Sequence, residues 1–573
     1  MYSRLSLSLP LLGVVFLLSC DEKSEGPDPR AVEPDEMCPG AETCLDEGEE
    51  LLMAGAAKAA ITPDLSDKDT IEDVNENGDF EPPPIGDDVW HDNNENGEWD
   101  FVWIAGFGMA RPANDVHDDL WARTVVLRWK STTIAVVALD LVGYFWDDAE
   151  DIREDVADLD IDFVIVHGTH DHEAPDVIGI WGFNEMMAGW DQDTIDMVRQ
   201  KAAGTIREAY DNMVPATAAF SAGVPAHPDR GVCNVSLDGR DPFVIIENLT
   251  TVRFIDAADE STIATLVNWA GHPESMGGDN HSITSDYPHY VREGIENGVH
   301  RGGTDMDGVG GIAIFIQGAL GSQIGCPSDV ECEDLEGNIW VEDRKDFGKV
   351  QCIGENIAVG ALEAMKSESG PTEKIPIEFR KKYVDLVIEN YGYHAMILND
   401  VFHVHRRADY GFDRTKPIRE GNLPHFTTEV SWVRIGPAQA ILVPGELTPE
   451  LAVGGYDGSH TPECAYDWVI ERGTLSRADN PNPPDLSRAP GPPYLFDFLT
   501  DPEQAGNEAA FPMIWGTTND FLGYIIPSYD YELAHPGAYI EEAPGDHYEE
   551  TNSVGPGGWP EIERNLIGIM VYE

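Results

Sequence analysis

Residues 133–172 read TIAVVALDLVGYFWDDAEDIREDVADLDIDFVIVHGTHDH, and this stretch decides the fold class. Thr133 to Val142 is a β-branched-rich apolar run of the kind that forms a buried strand. Ile161 to His167 is a second such run, and Ala149 to Leu159 between them carries enough helix formers for a crossover. Strand, helix and strand in that order make a βαβ unit, which joins parallel strands. Working outward, Gln192 to Met213 places Ile195, Val198, Ala202, Ile206 and Ala209 on one helical face. Thr262 to Ala270, Gly311 to Gln317 and Ala438 to Val443 read as further short strands, and Tyr290 to Asn297 and Asp346 to Met365 as helices. Long polar segments interrupt the alternation. The expected fold is therefore α/β, with a mixed β-sheet core and flanking helices.

The chain has 573 residues, 42% of them hydrophobic, which is enough to bury a large core. Lys and Arg number 36 against 105 Asp and Glu, a formal charge of −69, so the basic stripe that nucleic acid needs is excluded. A carboxylate surplus of this size suits work outside the cell. The N-terminus agrees. Arg4 precedes the apolar run Leu5 to Leu18, which ends at Leu17-Leu18-Ser19-Cys20 and resembles a bacterial lipobox. This reading gives a signal peptide over 1–19, lipidation at Cys20 and an acidic flexible tether over 20–53. It expects a lipid-anchored place in the bacterial cell envelope, with that lipid as the membrane attachment. An ordinary signal peptide with an incidental Cys20 is the alternative.

Cys38/Cys44 and Cys326/Cys332 are close enough in sequence for small-loop disulfides. No C-x-x-C spacing occurs, so a cysteine zinc site is not expected. An acidic insertion at about 64–102 carries two similar runs, through Asp73, Asn75, Asn77 and Asp79, and through Asp92, Asn94, Asn96 and Glu98. Each puts oxygen side chains at loop positions 1, 3 and 5 with Gly78 or Gly97 at 6, the arrangement that wraps Ca²⁺. Pro84 and Trp103 stand where a bidentate Glu would complete an EF-hand, so these are truncated loops; an uncoordinated acidic loop is the alternative.

In open α/β sheets reactive groups collect at the carboxyl ends of strands. One ending here runs into His167-Gly168-Thr169-His170-Asp171-His172, a second into Gly271-His272-Pro273-Glu274, and a third into Pro444-Gly445-Glu446. The strand through Ile316 runs on into Gln317 to Gln323. His170 and His172 point the same way in extended chain. Two His-bearing endings and a Glu ending on one ion would make a zinc site with an open position. His403-Val404-His405 repeats the spacing beside Arg406 and Arg407 and reads as a surface or hydrogen-bonding pair.

These residues, in this order, resemble the catalytic domain of the neutral/alkaline non-lysosomal ceramidase family. The likeness runs through Ala56–Pro63 (AAKAAITP), Ala105–Gly108 (AGFG), Val116–Arg123 (VHDDLWAR), Gly168–His172 (GTHDH) and Asn268–His272 (NWAGH). It continues through Ile283–Pro288 (ITSDYP), Val443–Thr448 (VPGELT) and Asn519–Ile525 (NDFLGYI), covering most of residues 54–573. The resemblance implies a zinc-dependent amidase acting on an N-acyl sphingosine or another small lipid-like amide. Its ligands would be His170, His272, Glu446 and Tyr524, with His172 beside the metal as proton shuttle.

Departures accompany the likeness. The family's G-D-V-S-P-N segment becomes Gly321-Ser322-Gln323-Ile324-Gly325, so Ile324 falls on the catalytic serine. Ser322 is a catalytic candidate only if the loop slips by two residues. The family's N-R-S becomes Asn234-Val235-Ser236, losing an Arg; whether the nearby Arg240 compensates is open at this point. The family's C-terminal β-sandwich has no counterpart after the Tyr524 block. Loss of the serine favours direct attack by water over an acyl-enzyme. Two other readings remain open here: a calcium-binding surface lipoprotein that keeps the fold, and a zinc hydrolase of other chemistry, such as a phosphatase.

Overall fold

The computed structural model describes residues 28–40, 44–323, 330–341, 346–405, 413, 415–417, 419, 421–535, 539–545 and 547–572. Its βαβ unit is the expected one: Thr132–Leu139 and Phe163–Gly168 pair in parallel, joined by α1 (Trp146–Asp155). They form one edge of an eight-stranded sheet. From the other edge the order is Ile312–Gln317, Thr262–Trp269, Leu249–Asp256, Val214–Gly223, Leu52–Ala60 and Trp121–Trp129, then the βαβ pair. At that far edge Thr262–Trp269 and Ile312–Gln317 are also parallel, with α3 (Asp286–Asn297) in their connection. The pairs between are antiparallel, so the sheet is mixed.

A second sheet of five strands is stacked on the first. Its order is Glu36–Cys38, Ile377–Val387, His425–Ile435, Ala438–Leu442 and Phe511–Trp515, the last two parallel. The core between the sheets joins Val125, Ile134, Val136 and Leu266 to Phe379, Val433, Ala440 and Trp515. Successive strand residues face opposite ways, so Ala135, Val137 and Leu139 meet the other layer. That layer includes α2 (Gln192–Asp211), whose predicted stripe Ile195, Val198, Ala202, Ile206 and Ala209 is buried against them. Each buried Ile or Val is worth roughly 1.5–3 kcal/mol, which holds a helix of otherwise polar sequence in place. Helix Gly558–Met570 covers the second sheet through Ile562, Leu566 and Ile569. The result is four layers, helix, sheet, sheet, helix.

Two expectations need correcting. The tether over 20–53 is not solvated throughout, since Glu36–Cys38 pairs with Ile377–Val387 and Cys38 and Leu52 are buried. Cys332 is bonded to Cys352 rather than to Cys326, and Cys233 to Cys464, a separation of 231 residues that no local spacing reveals. Cys38–Cys44 forms as expected. Arg4, the 1–19 signal, Cys20, Ile324 and Cys326 lie outside the described residues. No helix among the described residues is long and apolar enough to cross a membrane.

The acidic insertion encloses a small aromatic core of Phe80, Phe101 and Trp103, with Trp99 and Phe183 against it. Both acidic loops close on themselves. Asp73 accepts from Glu76 N at 2.7 Å and Gly78 N at 2.8 Å, Asn75 Oδ1 from Asn77 N, and Asn77 Oδ1 from Asp79 N. Asp92 accepts from Gly97 N at 2.9 Å, Asn94 Oδ1 from Asn96 N, and Asn96 Oδ1 from Glu98 N. The first loop leans on the strap at 105–111, where Phe80 N donates to Ala110 O at 2.7 Å.

Candidate active site

The parallel pairs of both sheets end at one place. Phe163–Gly168 delivers His170, and Thr262–Trp269 delivers His272. The second sheet delivers Glu446 beyond Ala438–Leu442 and Tyr524 beyond Phe511–Trp515. Glu446–Leu447 and Tyr524–Ile525 then pair in parallel, placing Glu446 opposite Tyr524. The first sheet curls until its two edges meet. His167 Nε2 accepts from Gln317 N at 2.9 Å, and burial holds that imidazole neutral, its pKa down to about 3. The Gln317 side-chain amide donates to Thr169 O at 3.0 Å and to Gly271 O at 2.6 Å, the residues just before the two histidines.

Three imidazoles and a carboxylate therefore converge. His272 Nε2 lies 3.1 Å and His170 Nε2 3.3 Å from the same Glu446 Oε2. His172 Nε2 is 3.1 Å from His170 Nε2. The edge of a tetrahedron with Zn–ligand bonds of ~2.0–2.1 Å is ~3.3 Å, so these separations suit ligands of one ion. His170 Nδ1 donates to Val142 O at 2.6 Å, which fixes the tautomer and leaves Nε2 free to bind. His170 has φ of +66°, a left-handed conformation rare for a side-chain-bearing residue, held by its N–H bond to Leu141 O at 2.9 Å. Tyr524 is buried in the same site, its ring 6.4 Å from that of His272 and 5.9 Å from that of Tyr548.

The electrostatics favour a cation. Burial pushes the His272 and His172 pKa values down, and His170 beside each adds to this, so both stay neutral, the form that ligates. Burial pushes the Glu446 carboxyl up, but His170 and His272 outweigh it and bring it down to about 2. Burial and the Glu446 charge keep the Tyr524 phenol protonated well above its ordinary range, a bias that a nearby divalent ion opposes.

Supports for His172 were not evident in the sequence. Glu274 Oε2 lies 3.4 Å from His172 Nδ1, and Arg111, fully buried, donates to the carbonyls of His172 and Ala105 and pairs with Glu173 at 3.5 Å. Glu274 stands two residues after His272, and that same alternate spacing was the available signal. Gly106 has φ of +104°, and a Cβ there would lie 2.4 Å from His172 Cβ and Cγ. Gly106→Ala is expected to displace the imidazole and lower kcat by about 10²-fold with metal content unchanged, checked by kinetics and metal analysis.

Ser322 is buried behind the Glu446 strand, with Gly321 N donating to Leu447 O at 2.9 Å and the Ser322 carbonyl accepting from Gly239 N at 2.8 Å. Arg240 is buried, its guanidinium held by Glu549, Glu550 and Asp530 at 2.9 to 3.1 Å. A cavity of about 410 Å³ lies on the Tyr524 side, walled by Phe243, Trp468, Ile470 and Tyr548 with Asp238 and Glu549. That volume and mixed lining suit a small molecule with an apolar part.

Two solved structures share this architecture. The neutral ceramidase of Pseudomonas aeruginosa matches with a TM-score of 0.59 at 14% identity, over 91% of this chain and 74% of its own. A ceramidase complexed with C2 matches with a TM-score of 0.57 at 14% identity, over 91% and 75%. No protein-family model matches the chain, and no curated protein matches it in sequence. The fold is that of a ceramidase-like α/β domain.

Proposed function

We propose that this chain is a zinc-dependent hydrolase of the neutral ceramidase type, cleaving an amide of N-acyl sphingosine or of another lipid-like N-acyl compound. The observation that carries the reading is the meeting of His170, His272 and Glu446 donor atoms, from three separate strand ends, around one point. Imidazole and carboxylate together suit Zn²⁺, and Tyr524 completes the set. When bound, the ion supplies Lewis acidity toward the scissile carbonyl and makes water more acidic. His172, neutral and within 3.1 Å of His170, takes the proton of the attacking water and returns it to the leaving nitrogen. Glu274 and Arg111 hold it in position for both transfers. Attack by water needs no side-chain nucleophile, in keeping with Ile324 at the family's serine position.

The lipid anchor at Cys20 and Ca²⁺ in the two acidic loops belong to the same proposal. One would hold the enzyme near a lipid-like substrate in the cell envelope, and the other would stiffen the insertion against the 105–111 strap. The test is turnover of fluorescent ceramide and a panel of N-acyl amides by the full chain and by His170→Ala. Release of amine from at least one amide, absent in the variant, is expected. Equal backgrounds in both proteins would remove the hydrolase reading, and turnover of phosphoesters alone would move it to other chemistry.

A further inference from the structure

A second group of metal-ligating side chains lies outside this centre, where α1 meets the segment after Val401. Asp148 in the first turn of α1 and Asp151 three residues on share a helix face. His403 and His405 lie across from them. His403 Nδ1 is 3.1 Å from Asp148 Oδ1, and His405 Nε2 is 3.2 Å from Asp151 Oδ2. One donor atom from each of Asp148, His403 and His405 lies within 4.8 Å of the other two, and the imidazole rings are 5.2 Å apart. Both histidines are held by their surroundings. His403 N donates to Ile178 O and His405 N to Asp147 Oδ1, each at 2.9 Å, and the Trp190 ring packs 4.9 Å from that of His403.

We propose that Asp148, His403 and His405 form a second divalent-metal site that takes a transition-metal ion such as Zn²⁺ and clamps the 401–405 segment to α1. The 3.1 Å between the His403 and Asp148 donors is close to the ~3.3 Å edge of a tetrahedral site. Two imidazoles with one carboxylate match the ligand preference of Zn²⁺, Ni²⁺ and Cu²⁺ rather than that of Ca²⁺ or Mg²⁺. Asp151 is held by Arg199 Nη1 at 2.9 Å and steadies His405 rather than completing the ligand set. The His405 side chain is 40% exposed, which gives an ion an entry path and leaves room for water as the fourth ligand.

The test uses the full chain, stripped with chelator, loaded with Zn²⁺ or Co²⁺, dialysed and measured for bound metal. Wild type is expected to hold one equivalent more than His405→Ala and one more than His403→Asn, with the circular dichroism of all three alike. His405→Ala removes a half-exposed ring, so a folded variant is expected even where His403→Asn is disturbed. One ion in wild type and none in His405→Ala would support this site while removing the proposed hydrolytic centre. Equal metal in wild type and both variants overturns the proposal and leaves His403 and His405 as ion-pair partners of Asp148 and Asp151.

Discussion

His272→Ala is expected to give a folded chain that holds less metal at the centre than wild type and hydrolyses the proposed amide substrate on the order of 10³-fold more slowly. Metal catalysis stabilises the transition state by several kcal/mol, and each 1.36 kcal/mol or so is about tenfold in rate. His272 is one of the four proposed ligands, beside His170, Glu446 and Tyr524, and it meets His170 at the same Glu446 Oε2, so its loss opens the ligand set and weakens the hold on the ion. His172→Ala should behave differently. It keeps His170, His272 and Glu446, so metal content should persist while kcat falls by roughly 10²–10⁴-fold through lost proton transfer. Metal analysis beside kinetics separates the two variants. Full activity in metal-free His272→Ala would contradict the assignment of the centre.

Arg240→Met carries the largest expected loss of stability. The guanidinium is 1% exposed and faces three acidic side chains: Glu549 at 2.9 Å, Glu550 at 3.0 Å and Asp530 at 3.1 Å. Removing one partner from a buried charge cluster costs about 3–5 kcal/mol, because the remaining charges have neither water nor counter-ion. The loss should depend on pH. Burial already raises the Glu549 carboxyl to about 7 and that of Asp530 to about 6 with Arg240 opposing it, so removing Arg240 raises both further. A carboxyl whose folded pKa exceeds its unfolded value destabilises the fold above that unfolded value and not below it. The variant's deficit is therefore expected to be large near pH ~8 and smaller near pH ~4.5, read as the difference in Tm from wild type at each pH. An equal deficit at both would assign the loss to packing instead. Because Glu549 and Tyr548 line the cavity, activity should fall with the same change.

The local elements were legible because their signals are local. The βαβ unit, the α2 stripe and the strand through Val267 are written in short-range periodicity, and the structure has them within a few residues of the expected bounds. His170, His272 and Glu446 were legible for a topological reason, since each follows a strand whose parallel pairing aims its carboxyl end at a common place. The stacking of two sheets was not. Strands buried on both faces look alike whichever layer they join, so nothing near Ala438–Leu442 marks it as part of the other sheet. Glu36–Cys38 read as acidic tether because a three-residue edge strand has no periodicity to detect. Arg111, and the bridging role of Gln317 at its strand end, were not legible because both act through backbone carbonyls, which carry no residue-specific signature. The Cys332–Cys352 bond was hidden because a disulfide follows the distance between folded elements, not the spacing of cysteines along the chain.

One amide group spans the two histidine-bearing turns, since the Gln317 side chain reaches both Thr169 O and Gly271 O. The width of the centre is thus gauged by a single side-chain length, while the strands behind it can drift in sequence so long as they bring that glutamine to the same height.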